Sequence, residues 1–493
     1  MEAMPPSFID TVEQALGGMD AGVHAVSEAN LIRIIDTPHV WGRPMTSSGV
    51  SALAAQSVQD MAGIVESIIA GANQHVDIVS LNPPLGVFQK AVENGLAKLA
   101  QRIGTAPITI RFLFGYVMLY DTVTKFQERL ATFCKENKLP VQTMTILVGQ
   151  LSTSLAGASW NHAKIVAADG SVALVGGHNL WDGAYGSYPP VHDISVEVRG
   201  GAAAHAQQFA EFLWRKGENL LIVKRINQSF ALAALAAGTA RDQVTLTHPA
   251  VPQTQVQQEG GEGWAPGRVL SLGRGGVLGQ NASDVAKEQV IKGARSSLYI
   301  CQQDLMFTGA NKEREHLVCH WIAEALLASD TLKVNVVVSP LDAAGGGQQY
   351  SWGNGASGTN EFLRRLITEK AASKTKAGGA NERLAVAPFC FNEVKFTAEG
   401  TDYKWPDPPS GSRCGRMGTV VPTPAIFSSD PAPGNHAKVY IADESCYYVG
   451  SDNLYPHNLM EFGYLVEGKA ATDLVRDYWN QVWAYSAPHA YKK

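Results

Sequence analysis

Two short stretches of the chain carry the same set of chemically versatile side chains. The first holds His162, Lys164, Asp169, Gly177 and Asn179; the second holds His436, Lys438, Asp443, Ser451 and Asn453. Both read His-x-Lys, four residues, Asp, six residues, then Gly-[Gly/Ser]-x-Asn. With residue frequencies near ~5%, one chance occurrence is on the order of 10⁻⁴, so two mark a repeated unit. An imidazole attacks or transfers a proton near neutral pH, where its reference pKa of about 6.5 allows either form. An ammonium and an amide donate to the non-bridging oxygens of a phosphate and stabilise charge that builds there. Two such sets facing one another surround an anion-sized space with a nucleophile and an acid. That is a phosphate site with a nucleophile and an acid already in it, and such a scheme requires no metal or cofactor.

The spacing also says how the residues must be held. Histidine and lysine at i and i+2 on a strand point to one face, and the intervening Ala163 or Ala437 points into the core. Asp169 and Asp443 fall at a turn, where aspartate bonds neighbouring backbone groups. A return strand then leads to Gly176-Gly177 or Gly450-Ser451, which permits close backbone approach before the asparagine.

The repetition extends well beyond the motif. Residues 69–78 match 291–300 at an offset of 222, and 108–114 match 332–338. Residues 161–169 match 435–443 at an offset of 274, and 193–200 match 461–468. Helix-stop and strand signals recur in both copies. The fold class expected is α/β: two similar α/β/α sandwich halves with the active site at their interface. The halves are placed at 1–238 and 268–493, joined by a Gln-, Gly-, Thr- and Pro-rich linker at 239–267. Residues 1–50 are expected to pack around the first half as an extra subdomain. About 50 residues are inserted before the second histidine, in the glycine-rich stretch at 344–352 and the Pro/Gly-rich stretch at 405–434. Long loops of that kind in a compact domain are usually functional.

Composition narrows the class further. At 493 residues the chain is longer than one core usually serves, and 45% hydrophobic with 17% charged residues is globular rather than disordered. A net charge of −5 disfavours general affinity for nucleic acid. No run approaches the roughly 20 apolar residues of a spanning helix. Residues 1–14 lack the basic-then-apolar pattern of an export signal. The six cysteines include no CxxC pair. His316, Cys319 and His320 have a metal-compatible spacing but sit among Leu317, Val318 and Ile322, as in an ordinary packed helix. Both half-sites lie in one chain, which fits a monomer.

The motif pair and the duplication resemble the phospholipase D superfamily over about residues 50–485, most of all its secreted actinobacterial phospholipases D. Gln302-Gln303-Asp304, the segment Gly450 to Pro456, Phe462 to Glu467 and the tail Trp483 to Ser486 are similar as well. The resemblance implies hydrolysis of the head-group diester of phosphatidylcholine-like lipids to phosphatidic acid and an alcohol. It implies a phosphohistidine intermediate and transfer to other alcohols as a side activity. It assigns attack to His162 and leaving-group protonation to His436, a choice that the symmetry of the two motifs leaves open. It gives Lys164, Lys438, Asn179 and Asn453 the role of holding the phosphate oxygens. A nucleophilic histidine needs an acceptor on its other nitrogen, and Asp193 and Glu461 are expected to orient the imidazole of their own copy. Asp169 and Asp443 are expected to be structural. Trp181, Tyr185 and Tyr350 are expected around a choline head group, since aromatic faces attract quaternary ammonium. The expected partner is a phospholipid surface, with no nucleic acid, and the resemblance favours a secreted enzyme. A superfamily nuclease, or another phosphodiesterase acting on a non-lipid substrate, is the alternative.

Overall fold

The computed structural model describes residues 7–20, 22–43, 47–115, 122–140, 143–151, 159–186, 190–217, 221–225, 261–306, 316–340, 355–392 and 433–491, with two short strand pairs, 344–345 with 348–349 and 397–398 with 401–402. Its first half contributes strands β1 (His24–Thr37), β2 (His75–Ser80), β3 (Ile108–Phe114), β4 (Met144–Leu151), β5 (Ile165–Ala168), β6 (Val172–Gly176), β7 (Asp193–Arg199) and β8 (Leu221–Arg225). The second contributes β9 (Trp264–Gly275), β10 (Ser297–Gln302), β11 (Lys333–Val338), β12 (Leu384–Pro388), β13 (Lys438–Ala442), β14 (Cys446–Gly450) and β15 (Met460–Glu467). Helices α1 (Phe8–Ala15), α2 (Ser47–Gly71), α3 (Gly86–Ile103), α4 (Thr122–Glu136) and α5 (Gly201–Lys216) alternate with the first set. Helices α6 (Ala282–Gly293), α7 (Leu317–Ala328), α8 (Gly355–Lys370) and α9 (Lys374–Glu382) alternate with the second.

These strands form one 15-stranded sheet, in the order β12-β11-β10-β13-β14-β15-β9-β1-β7-β6-β5-β2-β3-β4-β8. Read outward from its centre, each half repeats the other: β1-β7-β6-β5-β2-β3-β4 against β9-β15-β14-β13-β10-β11-β12. The duplication is therefore real in three dimensions, but the halves are not separate sandwiches. Antiparallel pairing of β1 with β9 fuses them into a continuous sheet. Parallel strands β2, β3, β10 and β11 are apolar and buried along most of their length, as strands covered by helices on both faces must be. One hydrophobic core spans both halves, and in it Phe209 of α5 stacks on Phe462 of β15 at 5.0 Å.

Two boundaries need correction. Residues 24–37 are not part of an added subdomain, because β1 is the counterpart of β9 and belongs to the repeat itself. Their polar alternation hid a central strand. Residues 264–267, read as the end of the linker, already belong to β9; residues 239–260 lie outside the described residues. Among the described residues no helix is long and apolar enough to cross a membrane, and the five described cysteines are buried.

Candidate active site

Each histidine stands just ahead of a short strand and is fixed by the asparagine before it. Asn161 Nδ2 donates to the carbonyls of Ser80 (3.0 Å) and Leu113 (3.2 Å), while its Oδ1 accepts from the Ala163 N–H (3.2 Å). Asn435 Nδ2 donates to the Gln302 carbonyl (2.8 Å), and its Oδ1 accepts from the Ala437 N–H (3.2 Å). Both asparagines are fully buried. Sequence reasoning passed over them, although Asn-His in both copies was a visible signal.

The backbone then crosses between halves. His162 N–H donates to the Met460 carbonyl (2.9 Å), and His436 N–H donates to the His192 carbonyl (2.8 Å). Met460 and His192 each precede the acidic residue that opens the next strand. The carboxylates are consequently delivered to the opposite half: His162 Nδ1 lies 2.8 and 3.0 Å from the Glu461 oxygens, and His436 Nδ1 lies 2.7 Å from Asp193 Oδ2. The expectation that each carboxylate serves its own copy is wrong. Equivalent strands face each other across the junction, so the near imidazole belongs to the other motif. A carboxylate accepts, so Nδ1 carries the proton and Nε2 keeps the lone pair needed for attack or proton transfer.

The two carboxylates are supported differently. Asp193 accepts from the Tyr185 hydroxyl (3.0 Å) and from the Ile194 N–H (2.9 Å). A Cβ at Gly177 would overlap its Oδ1, so glycine is required there. Ser451, at the position equivalent to Gly177, instead donates its hydroxyl to Glu461 Oε2 (2.5 Å). Beyond Glu461, His457 Nε2 meets Asp452 Oδ1 at 2.9 Å, and Lys287 pairs with Asp452 at 2.7 Å. Asp452, His457 and Glu461 are close enough together to share a cation, but Lys287, Ser283 and Ser451 already occupy their carboxylate oxygens.

Tyr185 is also a correction. It is fully buried, with its hydroxyl on Asp193 and accepting from the Asn179 N–H (3.0 Å), so it offers no aromatic face to a head group. Trp181 is partly buried against the core of the first half, its indole N–H unpartnered among the described residues. Tyr350 lies outside the described residues. Asp169 and Asp443 sit away from the imidazoles in left-handed conformation, with φ of 53° and 50°. Asp169 accepts from the N–H groups of Asn73, Gln74 and His75, and Asp443 from those of Arg295, Ser296 and Ser297. Each thereby clamps the turn from helix to strand (α2 to β2, α6 to β10).

All these groups are buried, and burial dominates their electrostatics. It brings Lys164 down to about 8 and Lys438 to about 7. Burial, with Lys438 beside it, lowers His436 to about 3; burial with Lys164 and Lys438 holds His162 well below its ordinary value. Lysines of both halves thus act on both imidazoles, as one shared site requires. Burial lifts Glu461 above the usual carboxylate range, whereas His436, His178 and Lys438 hold Asp193 below it despite burial. Lys164 Nζ donates to the His162 carbonyl (2.7 Å) and Lys438 Nζ to that of His436, each leaving protons to spare. Asn179 Oδ1 and both amide atoms of Asn453 are buried and unpartnered among the described residues. A pocket of depressed cations and open amides is one that an anion completes. Anion binding should therefore need the protonated lysines, hold below pH 7 and weaken as pH rises through about 7 to 8, not near 10.5. Sulfate, whose charge is constant over this range, should bind at least tenfold more weakly at pH 9 than at pH 6 by calorimetry; equal affinity would refute the electrostatic account.

No protein-family model matches the chain. A phospholipase D of Streptomyces antibioticus is 25% identical to it, over 98% of this chain and 88% of the relative. Among solved structures, the phosphatidylserine synthase of Haemophilus influenzae superposes with a TM-score of 0.54 at 13% identity, covering 99% of this chain and 92% of the other. The chain is thus similar to a phospholipase D in sequence and to a phosphatidylserine synthase in fold. It is an enzyme of the phosphodiesterase or phosphotransferase kind, and its two-lobed α/β architecture is shared with that phosphatidylserine synthase.

Proposed function

We propose that this enzyme is a phospholipase D that hydrolyses the head-group diester of phosphatidylcholine-like lipids to phosphatidic acid and alcohol, with transfer to other alcohols as a side activity. The observation that carries the reading is the crossed pairing of His162 with Glu461 and His436 with Asp193 around two buried lysines. In the first step His162 Nε2 forms a bond to phosphorus as the bond to the head-group oxygen breaks, and His436 gives that oxygen its proton. In the second step His436 takes a proton from water, whose oxygen displaces His162. Lys164, Lys438, Asn179 and Asn453 hold the non-bridging oxygens and stabilise the transition state. The bound diester's negative charge favours protonation of His436, offsetting the depression that burial and Lys438 impose in the empty site. One chain supplies both half-sites, which supports a monomeric enzyme.

A lipid surface is supported by where apolar side chains reach solvent. Leu53, Leu85, Val277 and Leu317 are 43–53% exposed, and the connections place them towards the strand ends where the histidines stand. Leu85 N–H bonds the carbonyl of Leu180, next to Asn179. Val277 follows Gly276, which packs on Ser159 and Asn458. Leu53 is near Ala55 and Val58, which approach Gly186 beyond Trp181. Leu317 opens α7 on the side where β10 ends beside Lys438. Four aliphatic groups from both halves suit a soft apolar surface.

The test is choline release from phosphatidylcholine vesicles, run beside a plasmid-nicking assay and a panel of acceptors including serine and ethanol. Choline release with phosphatidic acid as product is expected; nicking without choline release would favour the nuclease, and product only with serine would favour a transferase. In the double variant Leu85→Asp, Leu317→Asp, the ratio of vesicle cleavage to cleavage of a soluble short-chain lipid should fall about tenfold, in line with losing two aliphatic contacts with the membrane.

A further inference from the structure

Gln302 is buried completely, and neither its Nε2 nor its Oε1 has a hydrogen-bond partner among the described residues. The amide's orientation is immaterial, because both ends are open. Leaving such a group unpaired is costly, so an open buried amide points to something it binds. Its place is informative. Gln302 ends β10 directly opposite Lys438 on β13, and cross-strand partners share a face of the sheet. Its backbone carbonyl accepts from Asn435, the residue that fixes His436. The amide therefore lies beside the lysine of the second motif and next to the strand carrying His436. The first half has Ser80 at the equivalent position, so the repeat is asymmetric here.

The chemistry of the ligand follows from what an amide needs. Its N–H groups seek an acceptor and its carbonyl seeks a donor. A phosphodiester anion supplies acceptors only, whereas a hydroxyl supplies both. We propose that Gln302 binds the hydroxyl group of the water or alcohol that reacts at phosphorus in the second step, and so helps to set the choice between hydrolysis and transfer. This rests on the two-step reading above. In that step the hydroxyl oxygen bonds to phosphorus, its proton passes to His436 Nε2, and the phosphorus–nitrogen bond breaks with its electron pair returning to His162. With one O–H directed at His436, water keeps a second for the Gln302 carbonyl, whereas an alcohol offers the amide only its oxygen and has its alkyl group besides.

Gln302→Met keeps the length and removes both hydrogen-bonding ends. Its effect is read on a soluble p-nitrophenyl phosphodiester in aqueous ethanol, with p-nitrophenol counting turnovers and the ethyl diester and monoester products giving the partition. The ratio of transfer to hydrolysis should rise about fivefold, the effect of losing one hydrogen bond to water, and the thermal midpoint of the empty enzyme should not fall. An unchanged ratio, or a lowered midpoint with an unchanged ratio, would show that the amide is only packed there. Gln302→Leu serves as the second variant should the first fail to fold. The soluble substrate separates this result from the lipid reading: an enzyme that partitions as expected but releases no choline from vesicles retains the Gln302 assignment and loses the lipid one.

Discussion

Alanine at either His162 or His436 should lower diester turnover by about four orders of magnitude or more, since nucleophile and acid act as a unit. The two variants should fail in different ways. p-Nitrophenolate leaves without needing a proton, so His436→Ala should still transfer phosphorus to His162 from a p-nitrophenyl diester. It should then stall, because nothing remains to activate water. A burst of one p-nitrophenol per enzyme, with phosphorus on His162 by mass spectrometry, is the expected result. His162→Ala should show no burst. Label on His436 in the His162→Ala variant would exchange the roles, and more than a tenth of wild-type turnover in either variant would remove both residues from the chemistry.

Much of this arrangement was legible in the sequence because a duplicated motif states its own geometry. The i and i+2 spacing of His162 and Lys164 fixes a shared face wherever the strand sits, and the match of 193–200 with 461–468 placed the two carboxylates on equivalent strands. What a linear repeat does not state is which equivalent strand meets which motif. That depends on the antiparallel junction of β1 with β9, and β1 is partly exposed and polar in pattern, so it did not read as a central strand. Tyr185 misled for a related reason. An aromatic residue near Asn179 suits a choline cage and a buried hydroxyl donor equally well by composition, and only packing against Asp193 decides between them. The link from Lys287 through Asp452 and His457 towards Glu461 joins a helix to a strand 174 residues later, and no local pattern announces it. Gln302 was noticed as part of a shared tripeptide, but its unpaired amide is visible only in three dimensions.

The crossed pairs make a prediction that an uncrossed site would reverse. Asp193 touches His436, so Asp193→Asn should weaken proton handling and leave the attack by His162 largely intact. Asparagine can still accept from Nδ1–H, but without the negative charge that stabilises an imidazolium, and loss of that charge in a histidine–carboxylate pair costs about two to four orders of magnitude. With a p-nitrophenyl diester the burst should persist and the steady state should collapse, as in His436→Ala. Glu461→Gln should do the opposite: the burst itself slows, because the ring that attacks has lost the negative charge that stabilises the positive charge it gains on bonding phosphorus. Were each carboxylate to serve its own motif, the two kinetic signatures would be exchanged. Rapid-quench measurement of the burst in both variants distinguishes the cases. The supports of the two carboxylates extend the contrast. Gly177→Ala should mimic Asp193→Asn, since the added methyl collides with Asp193, whereas Ser451→Gly removes one donor from Glu461 and should slow the burst only modestly. A Gly177→Ala enzyme with a wild-type steady state would mean that Asp193 can move aside without loss, and the positioning role given to it would fail.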